Sequence, residues 1–278
     1  MGAAEFSGFI FLSSVLAGLL GALTGLGGGV VIVPVLTLLF HVDIHYAIGA
    51  SLVSVIATSS GAAAAYVREG YSNIRIGMFL EIATTLGAVL GAYLTTKVST
   101  HSIGLIFGLV LLYSAYASLR KKRAHPANAR SNVLAERLRL RGSFPGPQGN
   151  EDYVARRVPA GFGLMFSAGT LSGLLGIGSG AVKVLAMDQA MGLPFKVSTT
   201  TSNFMIGVTA AASAGIYLSR GYISPGLAMP VMLGVLGGSL VGSKILVHSN
   251  VKTLRIVFSL VIVALGVEMI VNSLSGRL

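Results

Sequence analysis

The chain contains no cysteine. Disulfide frameworks, thiolate metal sites and thiol catalysis are therefore excluded. Charge is almost as scarce, at 10% of the 278 residues, where a soluble domain carries roughly a quarter. Too few charges remain to coat a water-facing surface, while 53% of the residues are hydrophobic. The usual enzyme centres are missing too. His41, His45, His101, His125 and His248 fall in loops or at the ends of apolar runs, so no imidazole base is expected inside a membrane. No metal-ligand spacing occurs, and no Lys-Ser or Lys-Thr pair follows the glycine clusters to make a phosphate-binding loop. Gly178-Ser179-Gly180 falls short of an intramembrane serine protease motif, because Ile177 stands where its first glycine is required. The expectation is a protein that is not an enzyme and uses no cofactor and no metal.

What is present is long apolar runs. A bilayer core of about 30 Å needs about 20 apolar residues per crossing helix. Candidates are Phe9–Phe40, Ala47–Val67, Ile76–Thr96, Ile103–Leu119, Ala160–Met191, Ser198–Leu218, Leu227–Leu246 and Leu254–Val271. No alternating barrel pattern accompanies them, so the spans are expected to be helical. The class is an all-α polytopic membrane protein of about eight segments, in the plasma (inner) membrane. The N-terminus lacks a basic region and a cleavage site, so Phe9 onward is expected to be mature protein. The net charge is +11, and ten of the 20 Lys and Arg residues lie in Arg120–Arg157. Such a cluster reads as a cytoplasmic loop rather than a nucleic-acid surface.

The sequence repeats at a spacing of 151 residues. Gly25-Leu-Gly27-Gly-Gly29 falls on Gly176-Ile-Gly178-Ser-Gly180, Ser51 on Ser202, Tyr66 on Tyr217, and Gly87 and Gly91 on Gly238 and Gly242. Three regions follow: a membrane repeat over 1–119, a basic linker over 120–158 and a second membrane repeat over 159–278. Within the linker, Ser131–Arg141 reads either as a short surface helix with Val133, Leu134, Leu138 and Leu140 facing lipid, or as a disordered connector. Phe9–Phe40 would be about 48 Å long as one helix, too long for one crossing and too short for two. Its central glycines weaken a helix by about 1 kcal/mol each, so a break is expected. The break is either a kinked crossing, giving parallel halves, or a re-entrant hairpin, giving inverted halves. With the linker and Lys183 set aside, the first arrangement puts four basic residues inside against five outside. The second puts six inside (Arg68, Arg75, Lys196, Lys244, Lys252, Arg255) and three outside (Lys97, Arg220, Arg277), which fits the positive-inside rule better.

These residues carry a resemblance. Gly25-Leu-Gly-Gly-Gly29 with Val33-Pro34, and Gly176-Ile-Gly-Ser-Gly180 with Leu193-Pro-Phe-Lys-Val197 and Thr201-Ser-Asn203, resemble the paired signatures of the sulfite exporter TauE/SafE family. The resemblance covers nearly all of the chain outside the linker. It implies export or uptake of small sulfur-containing anions such as sulfite or a short organosulfonate, for example sulfoacetate. Two departures stand out: Ser179 replaces an expected glycine, and Leu185 replaces an expected proline, which puts the shape of the second half-helix in question.

An anion inside a membrane needs hydrogen-bond donors. Backbone N–H groups at Gly27, Gly28 and Gly29, and at Gly178, Ser179 and Gly180, could form such a nest. Lys183, whose repeat mate is Ile32, is either a positive charge for the substrate or one partner of an ion pair with Asp188. Ser51, Thr201, Ser202 and Asn203 add polar groups, although hydroxyls in membrane helices often only bond a carbonyl one turn back. Glu81 and Asp188 are proton-coupling candidates; Glu268 is a further acid in an apolar run. The expected function is a secondary transporter working by alternating access, with a passive anion channel or a non-transporting membrane enzyme or assembly factor as alternatives. The expected partners are a small anion and the lipid bilayer. A coupling ion (proton or sodium) and a homo-oligomer are compatible with the sequence, and no nucleic acid is expected.

Overall fold

The computed structural model describes residues 2–24, 28–68, 72–119, 133–146, 149–248 and 251–276. It is built almost wholly of helices. In the first half, α1 (Ala3–Thr24) precedes α2 (Gly29–Pro34), which runs into a π-helical turn over Val35–Leu39; α3 (Ile44–Arg68), α4 (Ile74–Leu94) and α5 (Thr100–Leu119) follow. After the linker, α7 (Val158–Leu175) precedes α8 (Gly180–Leu185), with a π turn over Ala186–Ala190, then α9 (Phe195–Ser219), α10 (Pro225–His248) and α11 (Val251–Leu274). The starts of α2, α3 and their π turn recur 151 residues later in α8, α9 and theirs. Among the described residues, three helices are long and apolar enough to cross a membrane: Ile74–Leu94, Val158–Leu175 and Pro225–Gly242. Five shorter apolar helical stretches accompany them.

Each half opens with a helix and a short return arm. A Cβ on Gly28 would lie 3.5 Å from the Gly18 Cα, and the Phe40 ring packs edge-on against Phe6 at 5.8 Å. The arm therefore runs back along α1 toward its start. In the second half Met191 packs on Gly161, and its carbonyl accepts the Arg156 N–H at 2.8 Å. Losing the proline does not change the second arm. Leu185 leads into the same five-residue π turn as Pro34, and the bond closing Val42 N–H onto Leu36 O (3.1 Å) has its counterpart from Leu193 to Met187 (3.0 Å).

Glycines decide which helices meet. A Cβ on Gly87 or Gly91 of α4 would overlap the carbonyls of Phe166 or Thr170 on α7, and one on Gly169 or Gly173 of α7 would overlap those of Thr84 or Ala88. The contact points advance together along both helices, so α4 and α7 run parallel. The mate of this seam joins α1 to α10, where Gly18, Gly234 and Gly238 meet Val235, Phe11 and Val15. The central helices α3 and α9 run antiparallel: Gly49 lies against Tyr222, and Gly207 against Ser59. The face of α4 away from these contacts carries Met78, Ile82, Leu86 and Leu90, all exposed, while its buried face holds Gly77, Glu81, Thr84, Gly87 and Ala88. Small and polar residues inside with large apolar residues outside is the arrangement expected when the surroundings are lipid.

The linker departs from expectation. Its helix α6 is only Val133–Arg137, and Arg141–Gly146 (β1) pairs antiparallel with Gly149–Val154 (β2). Val133 is exposed as expected, but Leu140 is buried and packs with Ala155 and Val158 instead of facing lipid. Hydrogen bonds decide this shape: Leu140 N–H bonds the Ala135 carbonyl, and Ala155 N–H bonds the Leu140 carbonyl. Asn73 ties the hairpin to the first half. Its Oδ1 caps α4 by accepting from Ile76 N–H at 3.0 Å, and its Nδ2 donates to Tyr153 Oη at 2.9 Å. Burial raises the Tyr153 pKa, against the lowering pull of the Asn73 bond.

Two outcomes follow. Gly173→Leu forces side chain into the α4 backbone and should cost about 1–3 kcal/mol of stability, read as a lower melting temperature in detergent, whereas Gly163→Leu, which meets open space, should leave it unchanged. Asn73→Ala removes a helix cap and the hairpin bond together, for a loss of about 1–2 kcal/mol, visible in chemical denaturation; a neutral result would mean the hairpin is not held by Asn73.

Candidate functional site

The two glycine tips meet between α3 and α9. Gly176 and Gly178 both have φ +67°, and Ser179 has φ +45°. This left-handed region is open to glycine and costly for serine, so the turn into α8 needs its glycines. The Gly176 carbonyl accepts from Ser51 Oγ at 2.8 Å, and a Cβ on Gly29 would lie 3.1 Å from that same carbonyl. The first tip is thus clasped to the second through Ser51. Gly28 packs on Val235, Gly178 between Val55 and Ile206, and Gly180 on Ile206. Gly27 lies outside the described residues.

The remaining polar groups divide by what they touch. Ser202 Oγ donates to the Gly180 carbonyl at 3.3 Å, and Thr201 Oγ1 accepts from Asn73 N–H at 3.0 Å. Ser51, Thr201 and Ser202 therefore brace the tips and the α4 start. Thr58 and Ser59 bond carbonyls of their own helix. Asn203 is half-buried on α9. Ser179 Oγ is different: it is buried at the tip and has no hydrogen-bond partner among the described residues.

One turn beyond Ser179, Lys183 is fully buried. Its Nζ donates to Thr209 Oγ1 at 2.5 Å. Thr209 in turn donates to Glu81 Oε1 at 2.7 Å, and Thr85 donates to the same oxygen at 3.2 Å. Glu81 Oε2 is buried without a partner among the described residues. Among the described residues the partner of Lys183 is thus Glu81 through Thr209; Asp188 is buried in the π turn after α8. Glu268 lies on an exposed face of α11. Glu81 comes from the first half, Lys183 and Thr209 from the second. Their repeat mates are Met232, Ile32 and Thr58, so the charged bridge exists once, without a symmetric copy.

Sequence reasoning found Lys183 and Glu81 separately and missed Thr209. One signal was available: Thr209 and Thr58 are threonines in register at the 151-residue spacing, each inside an apolar run. Among the described residues no group of three or more His, Asp and Glu side chains could hold a metal. The arrangement puts a buried ammonium one helical turn along the chain from a buried hydroxyl that has no partner among the described residues.

Comparison with known proteins gives the same direction. Residues 10–269 match the family described as "Sulfite exporter TauE/SafE". The chain is 28% identical over 262 residues to the probable membrane transporter protein YunE of Bacillus subtilis, covering 92% of this chain and 94% of that relative. It is 29% identical over 236 residues to the probable membrane transporter protein YdhB of the same organism, covering 84% and 86%. The probable membrane transporter protein MJ0441 of Methanocaldococcus jannaschii is 24% identical over 269 residues, covering 92% of each chain. No solved structure matches the chain significantly. With a family match over nearly its whole length and relatives named as transporters, the chain belongs to the TauE/SafE sulfite exporter family of membrane transporters.

Proposed function

We propose that this protein is a secondary transporter that moves a small sulfur oxyanion, sulfite or a short organosulfonate such as sulfoacetate, by alternating access. The observation that carries the reading is Lys183: an ammonium with no exposure, seated where both halves meet. A lysine at the centre of a span costs about 2.5–3.5 kcal/mol even with relaxation, and an anion that draws on this charge offsets the cost. The family supplies the anion's class. Sulfite and sulfonates present three oxygens around one sulfur, and Lys183 Nζ, Ser179 Oγ and the amides of the Gly178–Gly180 turn are donors placed within one helical turn of each other.

The two halves are inverted in this reading, with the linker cytoplasmic and the plasma membrane as the location. Two geometric facts support inversion: the return arms, which fold back toward the start of α1 and α7, and the antiparallel run of the mates α3 and α9. A four-crossing half would make α3 and α9 parallel. Inverted halves sharing a midplane site give a direct route to alternating access, since exchanging their conformations turns an inward-open state into an outward-open one.

The absence of cysteine makes a topology test clean. A single cysteine at exposed Lys196 should react with an impermeant maleimide only from the cytoplasmic side, and one at exposed Arg220 only from the outside; labelling of both from one side would discard the inverted arrangement. Binding tests the site. Sulfite or sulfoacetate should raise the melting temperature of purified protein, with affinity falling about tenfold to a hundredfold in Lys183→Met and by up to about tenfold in Ser179→Ala. Saturable flux with counter-exchange in vesicles is expected; flux linear in concentration without exchange would mean a channel.

A further inference from the structure

The bridge from Lys183 to Glu81 has more hydrogen-bonding capacity than it uses. An ammonium has three donors, yet among the described residues Thr209 is the one hydrogen-bond partner of Lys183 Nζ. The Glu81 carboxylate is engaged through Oε1 alone, and its second oxygen is buried and unpartnered. The two charges meet through a hydroxyl that receives from one and donates to the other. A structural pair would gain more from direct contact, because a bidentate, fully bonded geometry is what offsets the burial of two charges.

Thr209 also has a choice. It carries one hydroxyl proton and has two acceptors in reach, Glu81 Oε1 at 2.7 Å and the Met205 carbonyl one turn back at 2.9 Å. If Glu81 leaves, the hydroxyl proton turns to Met205 and no buried group is orphaned. Among the described residues, α4, α7 and α9 bring no second charge to the bridge. Packed against α4, the helix α7 has no ionisable side chain between Val158 and Leu175. The ionisable residues of α9, Lys196 and Tyr217, sit toward its ends, Tyr217 being bonded to Thr95 and the Gly173 carbonyl. On α4 itself Arg75 is exposed, and Thr84 and Thr85 are neutral. Asp188 lies in the π turn beyond α8. Lys183 is the charge that acts on Glu81, and Glu81 the one that acts on Lys183.

Resting on the anion-transport reading above, we propose that Glu81 is the anion's internal competitor: it holds Lys183 through Thr209 when the site is empty, and gives Lys183 up to the substrate by taking a proton from water, so that one proton travels with each anion. Glu81 carboxylate plus hydronium gives the carboxylic acid and water. The incoming oxyanion accepts from Lys183, and the Thr209 proton turns to Met205. Without that proton, one buried ammonium would face two negative groups in a medium of low dielectric, where like charges repel strongly. The bridge joins the two halves, so protonation also releases a tie between them. Of the two acids singled out for coupling, Glu81 is the one placed to do this.

The test is the pH dependence of sulfoacetate binding, a ligand whose charge is constant across the neutral range. For the wild-type protein the Kd should rise by up to about tenfold per pH unit as Glu81 must be protonated for binding, while Glu81→Gln should bind with a flat profile. In wild-type proteoliposomes an inward sulfoacetate gradient should acidify a trapped pH dye. Acidification is read on the wild type, so it decides the matter even if the variant does not fold. Sulfoacetate flux without acidification, or the wild-type pH slope persisting in Glu81→Gln, would overturn the role of Glu81 and leave the transporter reading intact. No sulfoacetate binding or flux in the wild type at any pH would overturn the sulfonate reading and this inference with it.

Discussion

Close approach of helix backbones at glycine is the constraint on which this structure rests. In lipid there is no hydrophobic force to draw one apolar helix to another, and packing and interhelical bonds must do it. The α4–α7 and α1–α10 seams answer that requirement with glycines set against carbonyls of the facing helix. Each seam joins a helix of one half to a helix of the other. The halves are therefore interleaved rather than side by side, and the return arms that follow α1 and α7 are carried into the middle of the molecule, against α3 and α9.

That interleaving explains why the polar groups at the tips have such different roles. Ser51, Ser202 and Thr201 are used up in fastening tip to helix and helix to loop. Ser179, Lys183 and Glu81 keep spare capacity. The departure from glycine at Ser179 places an unengaged hydroxyl at the one tip that is followed by a lysine. The half that supplies Gly28 and Ile32 at the matching positions has no such chemistry. Pseudo-symmetry here governs the scaffold, and its breaking governs the charge.

Much of the scaffold was legible in the sequence because membrane burial writes large signals. Apolar runs of span length, glycines in register at one spacing, and a lysine inside an apolar run each have a single-residue or single-window cause. The partnership of Lys183 with Glu81 was not legible, because it joins residues about a hundred positions apart through a threonine whose composition is ordinary for a membrane helix. Asp188 was a reasonable partner by spacing, but it lies within the π turn after α8, while Lys183 reaches Thr209 on α9. The linker hairpin was missed for a related reason. Its strands contain Gly142, Pro145 and charged residues, and their pairing is fixed by contacts with Asn73 and Met191 rather than by alternating apolar residues.

That hairpin bears on how far the two halves can part. It is anchored to the loop before α4 through Asn73 and to the end of the second return arm through Arg156 and Met191. A slack tether would let two bodies separate equally at both ends. A tether pinned this close to each body acts as a pivot: the anchored end keeps nearly the same separation, and the same angular change is magnified with distance from it. If the halves move as proposed, the largest stroke falls at the face opposite the linker, where His45 stacks on Tyr222 and Tyr46 meets the same ring edge-on.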